Sequence, residues 1–523
     1  MGFMQNIKNM LNSEYNVSVT ENGARGYRTS GKALLDLNFA VSSFRNASPE
    51  KIVEQFVKAY YEDQKLAIRW LFYASDVRQG LGERRLFQVI MMYLAQSHIE
   101  IARALIRLIP EYSRWDIVVA LMDSPLADEA VEMIQRQLRE DSINKEKGIS
   151  ISLCAKWLPS ENASADSTKQ MARVLAKRLS MTNRQYRQML ASYRQYLDVV
   201  EVKMSSRRWA DIDYEAVPSR ANLVYNTAFL RNDEERRREF LGAVKKGEKT
   251  IHAGVLYPHD IVHSYIDTER KPGWWYLKSF DDTLEELWKA LPDYVQGAGN
   301  TLCVADGSGS MFTKVGNSQV TCLDVANALA IYFAEHCTGQ FKDTYITFSQ
   351  TPQFVDLSKG RTLHDKLEIA MSHNEVANTN IEAVFNLILD AAVKYHMPQK
   401  ELPANLLILS DMEFDVATRS SVNGKWVSPD EKLFDTFARK YADCGYRLPR
   451  LVFWNICSRT KTIPLRENAL GVALVSGFSP TIAKMVLSNE VDPYRALVEQ
   501  LMVPRYDIVE KAVEGVLEHD FMT

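Results

Sequence analysis

Through most of the first 290 residues, apolar positions recur at three- and four-residue steps. That spacing predicts amphipathic helices over 49–76, 84–96, 99–109, 167–180 and 183–200. Pro49 opens the first run with Ser48 before it as a candidate N-cap, and Pro159, Pro218 and Pro258 fall between runs. Strand-like alternation is nearly absent here. Helices of this length joined by short loops predict antiparallel pairs stacked as an all-α solenoid, although no fixed-period sequence repeat accompanies the pattern.

The texture changes near Leu291. The turn-rich stretch 292–300 leads into short β-rich runs at 301–305, 344–349, 405–410, 450–457 and 471–477. These runs are almost continuously apolar, as parallel strands covered on both faces must be. Amphipathic helices at 322–337 and 380–395 separate them. Such alternation predicts a doubly wound, Rossmann-like α/β sheet. The expected division is therefore a helical-repeat domain over 1–292 and an α/β domain over 298–523.

Composition alters this picture little: 46% of the 523 residues are hydrophobic and 25% charged, as in ordinary globular chains. No run of about 18 apolar residues is present, so no membrane-spanning helix is expected. The first residues lack the apolar stretch and cleavage site of a secretory leader. The six cysteines form no CxxC pair, and Cys303 and Cys457 lie in apolar runs, which favours buried free thiols over zinc or disulfides and places the protein in the cytoplasm. The formal net charge of −3 argues against bulk nucleic-acid binding, but residues 169–249 hold 18 Lys and Arg against 10 Asp and Glu. That asymmetry points to an anionic partner at one place.

The first β-run ends directly in Asp306-Gly307-Ser308-Gly309-Ser310. Ligands of open α/β sheets bind beyond the carboxyl ends of the strands. One carboxylate and two hydroxyls on alternate residues of a glycine-rich loop can face a single cation, and hard oxygen donors suit Mg²⁺ first, with Ca²⁺ and Mn²⁺ as alternatives. This D-x-S-x-S segment resembles the metal-ion-dependent adhesion site of von Willebrand factor A (vWA) domains. The resemblance extends to Thr379, which precedes a helix, and to Asp411, which follows a buried strand. Asn378 stands where the family has glycine. The resemblance implies that a partner's Asp or Glu completes the cation's shell. A single carboxylate among hydroxyls does not suit metal-dependent hydrolysis, and His336, His364 and His373 are expected as surface or capping residues, so no enzyme is expected.

A helical array followed by a vWA domain resembles the Ro autoantigen family, whose helical part is the TROVE module. Residues 76–85 (DVRQGLGERR), 113–116 (SRWD), 155–160 (AKWLPS), 217–219 (VPS) and 257–260 (YPHD) look closest to a bacterial and phage branch related to TROVE proteins. The resemblance implies HEAT-like repeats that curl into a ring closed by the vWA domain. It also implies binding of small structured RNAs on a basic outer surface and of single-stranded or misfolded RNA ends in the hole. The candidate RNA contacts are Lys177, Arg178, Arg184, Arg187, Arg194, Arg207 and Arg208, with Tyr186, Tyr193 and Tyr196 interleaved as stacking faces. The blander expectation for this stretch is a solvated stripe beside a core stripe. Gly80 to Arg85 is read as a helix–helix turn and not as a phosphate loop, because no strand precedes it and no Gly-Lys-Ser/Thr follows. Trp115 and Trp157 are read as packing anchors. The rival reading of the whole is a protein-interaction scaffold that grips a polypeptide and captures its acidic residue at the metal.

Overall fold

The structure, a computed structural model, describes residues 16–21, 25–267, 276–295, 300–316, 318–348, 351–373, 380–413, 420–422, 425–427, 433–459, 472–479, 482 and 492–520. A helix-rich N-terminal region precedes a mixed α/β sheet. The chain separates into two compact units that interleave in sequence: residues 1–63 with 256–501, and residues 64–255 with 502–523.

The first unit is built on a six-stranded sheet. Its strands are β1 (Thr301–Asp306), β2 (Thr344–Phe348), β3 (Gln353–Asp356), β4 (Asn405–Ser410), β5 (Arg450–Asn455) and β6 (Val472–Ser476). Their spatial order is β6-β5-β4-β1-β2-β3. All five expected strands form, and they pair in parallel. β1 is buried along its whole length, which explains its unbroken apolar run. The expectation missed β3, an antiparallel edge strand on β2. Gln353-Phe354-Val355-Asp356 is too short and too mixed to read as a core strand, and Phe354 is exposed at this edge.

Two segments expected in the helical domain belong to this unit. In helix Ala33–Phe39, residues Leu34, Leu35, Leu37 and Phe39 are all buried, and the helix packs against β6. The turn that follows is tied in by hydrogen bonds from the Ser42 amide to Ser476 Oγ (3.0 Å) and from Ser43 Oγ to the Ser458 carbonyl (2.7 Å). Helix Pro258–Tyr265 packs against helix Cys322–His336, where His263 Nδ1 meets Asp324 Oδ2 at 2.8 Å. The Glu285 carboxylate, on helix Asp282–Lys289, accepts from the Leu363 and His364 amides at 2.8 and 3.0 Å. A helical period reports that a face is buried, not which element buries it. A small antiparallel hairpin, Val17–Val19 with Arg25–Tyr27, also departs from the all-helical expectation for this half.

The second unit is helical. Its helices include Gln64–Ser75, Arg84–Ser97, Ile99–Leu105, Ala127–Glu146, Asp166–Arg178 and Asn183–Tyr196, most of them where the apolar period places them. Thr182 caps the last of these in a reciprocal box with Gln185. The chain's final helix, Asp507–Asp520, belongs here and not with the sheet. It packs on Gln64–Ser75 and Ile99–Leu105, and buried Arg69 pairs with its Asp507 (2.8 Å) and Glu510 (2.7 Å). Between the first two helices the chain turns as expected. A Cβ on Gly80 would lie 1.9 Å from the Tyr73 carbonyl oxygen, Gly82 holds φ +70°, and Arg84 begins the next helix. Trp115 is buried, and the Arg114 guanidinium lies over the Trp157 ring at 3.9 Å. No helix among the described residues is long and apolar enough to cross a membrane.

Candidate metal centre

The strand order reverses between β1 and β4, and the carboxyl ends of these two neighbours form the switch-point crevice of the sheet. Asp306 is the last residue of β1, and Asp411 directly follows β4. The first carboxylate is fixed on both sides. Its Oδ1 accepts the Ser308 amide at 2.9 Å, and its Oδ2 accepts the Ser410 hydroxyl at 2.6 Å. The hydroxyls of Ser308 and Ser310 lie 3.0 Å apart. Four of the sequence-predicted donors, Asp306, Ser308, Ser310 and Asp411, therefore meet at one edge. The fifth, Thr379, lies outside the described residues. Asn380, which follows it, caps helix Ile381–Lys394 by accepting from the Ala383 amide.

Asp306 and Asp411 are each 1% exposed. Burial, reinforced by the charge of Asp411, pushes the Asp306 carboxyl up to about 7, against the pull of hydrogen bonds from Ser410 and Ser308. Burial raises Asp411 as well, while the Ser310 hydroxyl and the Arg459 guanidinium hold it back. Asp411 Oδ2 is buried yet accepts no hydrogen bond from a described residue. Arg459 approaches it to 3.3 Å without the alignment to donate one. Two raised carboxylates, neutral hydroxyls beside them and a buried oxygen without a hydrogen-bond partner among the described residues form a donor set of hard oxygens only. This set fits a divalent cation of the Mg²⁺, Ca²⁺ or Mn²⁺ type.

Sequence reasoning missed four residues of this site. Ser410 clamps Asp306 and also accepts the Met412 amide at 3.0 Å, where Met412 takes φ +64°. Arg459 joins Asp411 to Glu21, whose Oε2 lies 2.6 Å from the guanidinium. Fully buried Glu413 accepts the Arg459 amide and the Glu21 amide, both at 2.8 Å. Ser410 was open to inference as the residue preceding Asp411 at a strand end, whereas Arg459 and Glu21 come from distant parts of the chain with no motif around them.

The three histidines expected as surface or capping residues each have a ring nitrogen facing a backbone carbonyl: His336 at Tyr332, His364 at Lys278 and His373 at Ile369. Ligand atoms of His364, Asp365 and Glu368 come within 4.8 Å of one another, but Asp365 is engaged in capping its helix through the Arg361 and Thr362 amides.

The expected RNA contacts divide into three kinds. Lys177, Arg184 and Arg207 are exposed and have no ion-pair partner among the described residues. Arg178, Arg187 and Arg208 are exposed but pair with Asp128 (3.0 Å), Glu161 (3.3 Å) and Asp211 (3.4 Å). Arg194 corrects the expectation. Its guanidinium donates to the Ala155 and Leu158 carbonyls and to Ser160 Oγ at 2.6–2.9 Å, which pins its helix to the 155–160 turn. The tyrosines correct it too. The hydroxyls of Tyr186, Tyr193 and Tyr196 donate to the carbonyls of Pro159, Leu138 and Ile149, and the first two rings are buried. The bland expectation of a core stripe holds for Tyr186 and Tyr193.

A family model described as Domain of unknown function (DUF2828) matches residues 20–109 and 126–300, just over half of the chain. The chain belongs to the DUF2828 family. In this DUF2828 protein the family segment spans the boundary between the two units, and a second model, Domain of unknown function (DUF7788), matches residues 300–511, which carry the sheet and the paired carboxylates. Among curated proteins, the chain is 28% identical over 527 residues to "Uncharacterized protein L728" of Acanthamoeba polyphaga mimivirus, covering 93% of this chain and 87% of that protein. Among solved structures, the Ro (RSR) protein of Deinococcus radiodurans aligns with 82% of this chain and 92% of its own, at 14% identity and a TM-score of 0.43.

Proposed function

We propose that this protein is a non-catalytic RNA-binding protein of the Ro/TROVE type whose sheet unit is a vWA-like domain with a metal-dependent adhesion site. A divalent cation is held there by Asp306, Ser308, Ser310, Asp411 and Thr379. With carboxylates and neutral hydroxyls as its donors, the cation keeps an open position for an acidic group of a partner. The observation that carries this part is the pair of buried carboxylates at the sheet's switch point, one of them with an oxygen that accepts no hydrogen bond from a described residue. The RNA part rests on the sequence resemblance and on the exposed cations Lys177, Arg184 and Arg207, which form no ion pair among the described residues that RNA phosphates would have to displace.

The test is recovery and crosslinking of RNA from protein purified from its own cells, with a salt titration. RNA crosslinked within about 170–210, weakened by salt and by joint substitution of Lys177 and Arg184 but not by Asp306→Ala, supports the reading. The second reading, a polypeptide captured through its acidic residue by the cation, is favoured by the same carboxylate pair. It predicts protein free of RNA and a partner released by chelator or by Asp306→Ala.

A further inference from the structure

His364, Asp365 and Glu368 lie in the first two turns of helix Leu363–Ser372 and share no hydrogen-bond partner with the Asp306 site among the described residues. Side chains four apart meet on one helix face, which brings Glu368 to His364, and Asp365 joins them from the next position. One ligand atom of each lies within 4.8 Å of the other two. His364 Nδ1 and Glu368 Oε1 stand 3.8 Å apart, too far for a hydrogen bond. Two donors that share one ion at about 2.1 Å each are roughly 3–4 Å from one another, so this gap suits a cation between them.

Three contacts from outside the cluster fix the imidazole. His364 Nε2 faces the Lys278 carbonyl at 3.0 Å. A carbonyl only accepts, so Nε2 carries the proton, and Nδ1 of the neutral ring turns its lone pair toward Glu368. The Lys278 peptide is itself held, because its amide donates to the Tyr265 carbonyl at 2.8 Å. The ring also packs edge-on against Tyr265 and Phe280, at 5.4 and 6.4 Å between centroids. Asp365 accepts its two capping amides on Oδ2, so Oδ1 takes no part in those bonds. The positive end of a helix opposes a cation, but here Glu285 accepts the Leu363 and His364 amides and places a carboxylate against that end. The Glu368 side chain, 64% exposed, can close on an ion without disturbing the core.

We propose that His364, Asp365 and Glu368 bind a divalent transition-metal ion of the Zn²⁺ class. One imidazole nitrogen and two carboxylate oxygens make a borderline donor set, softer than the all-oxygen set of the Asp306 site. Three protein donors leave a fourth position for water. The imidazole meets the ion through Nδ1 while its Nε2–H is anchored to a backbone carbonyl, the outer contact that ligating histidines ordinarily make. The assignment uses no residue of the Asp306 site and no RNA contact, so it stands or falls separately from the proposed function.

The test is calorimetric titration of the full-length, chelator-treated protein with ZnCl₂, with Mg²⁺ in excess to compete at the Asp306 site. A Cys444→Ser background removes the exposed thiol. The expected result is one equivalent of Zn²⁺ bound, retained in Asp306→Ala, weakened about tenfold or more by Glu368→Gln and lost in His364→Ala. Glu368 is exposed, so Glu368→Gln keeps the fold and decides the matter even if His364→Ala fails to fold. Zn²⁺ binding unchanged in Glu368→Gln would overturn the proposal. So would loss of Zn²⁺ binding in Asp306→Ala, or a protein that binds no Zn²⁺ at all.

Discussion

The Ser410 hydroxyl, at the end of β4, donates a 2.6 Å hydrogen bond to Oδ2 of Asp306, at the end of the neighbouring β1. The same oxygen accepts the Met412 amide, so one serine holds both the first carboxylate and the backbone turn that presents Asp411. Ser410→Ala leaves a buried carboxylate oxygen and a buried amide without that partner. It should cost about 1–3 kcal/mol in a urea melt. It should also weaken Mg²⁺ binding by calorimetry, whereas an unchanged melt would show that Ser410 is not the clamp.

The raised Asp306 carboxyl makes the cation-free protein sensitive to pH in a stated direction. Its folded pKa, about 7, lies above the ordinary value of 3.8, so between these limits the folded state binds more protons than the unfolded state. This group's contribution to stability therefore falls as pH rises from about 4 to about 7, and stays low above. In chelator-treated protein, Asp306→Asn should gain melting temperature relative to wild type between pH 5 and pH 8. Mg²⁺ should raise the wild-type melting temperature more at pH 8 than at pH 5. An equal difference between the two proteins at both pH values would contradict the assignment.

Arg194 and Arg184 occupy one helix and should behave as opposites. Arg194→Ala removes three hydrogen bonds from a half-buried guanidinium and should destabilise the helical unit by about 2 kcal/mol. Arg184→Ala touches an exposed side chain with no ion-pair partner among the described residues and should stay within about 0.5 kcal/mol of wild type. If RNA binds here, Arg184→Ala lowers affinity and flattens the salt dependence, read by filter binding across a salt series.

The last helix should be essential to the helical unit, not to the sheet. Arg69→Ala breaks a partly buried double ion pair and should cost about 1–3 kcal/mol, discounted because Asp507 is half-exposed. Truncation after Leu501 should expose amides of Gln64–Ser75 to hydrogen exchange while β1 and β4 stay protected. Equal deprotection of β1 would refute the division.

The strands carrying the candidate site were legible because parallel strands buried on both faces need unbroken apolar runs, and the Asp306–Ser310 loop stands where such a run stops. The Thr182–Gln185 helix start and the Gly80–Gly82 turn were equally accessible, since capping and backbone conformation act within a few residues. The edge strand Gln353–Asp356 was not, because half-exposed strands lose the apolar signature.

The sequence by itself determined which segments are helix and strand and where the first carboxylate of the crevice lies, for these depend on local periodicity and loop chemistry. Only the tertiary structure decided that residues 33–62 and 258–289 serve the sheet while 507–520 serves the helices. It alone placed Arg459 and Glu21 beside Asp411 and turned Arg194, Tyr186 and Tyr193 inward. An amphipathic face records that it must be covered, and an ionisable side chain that it needs a partner. Which distant segment supplies either is settled by packing in three dimensions, where sequence separation carries no information.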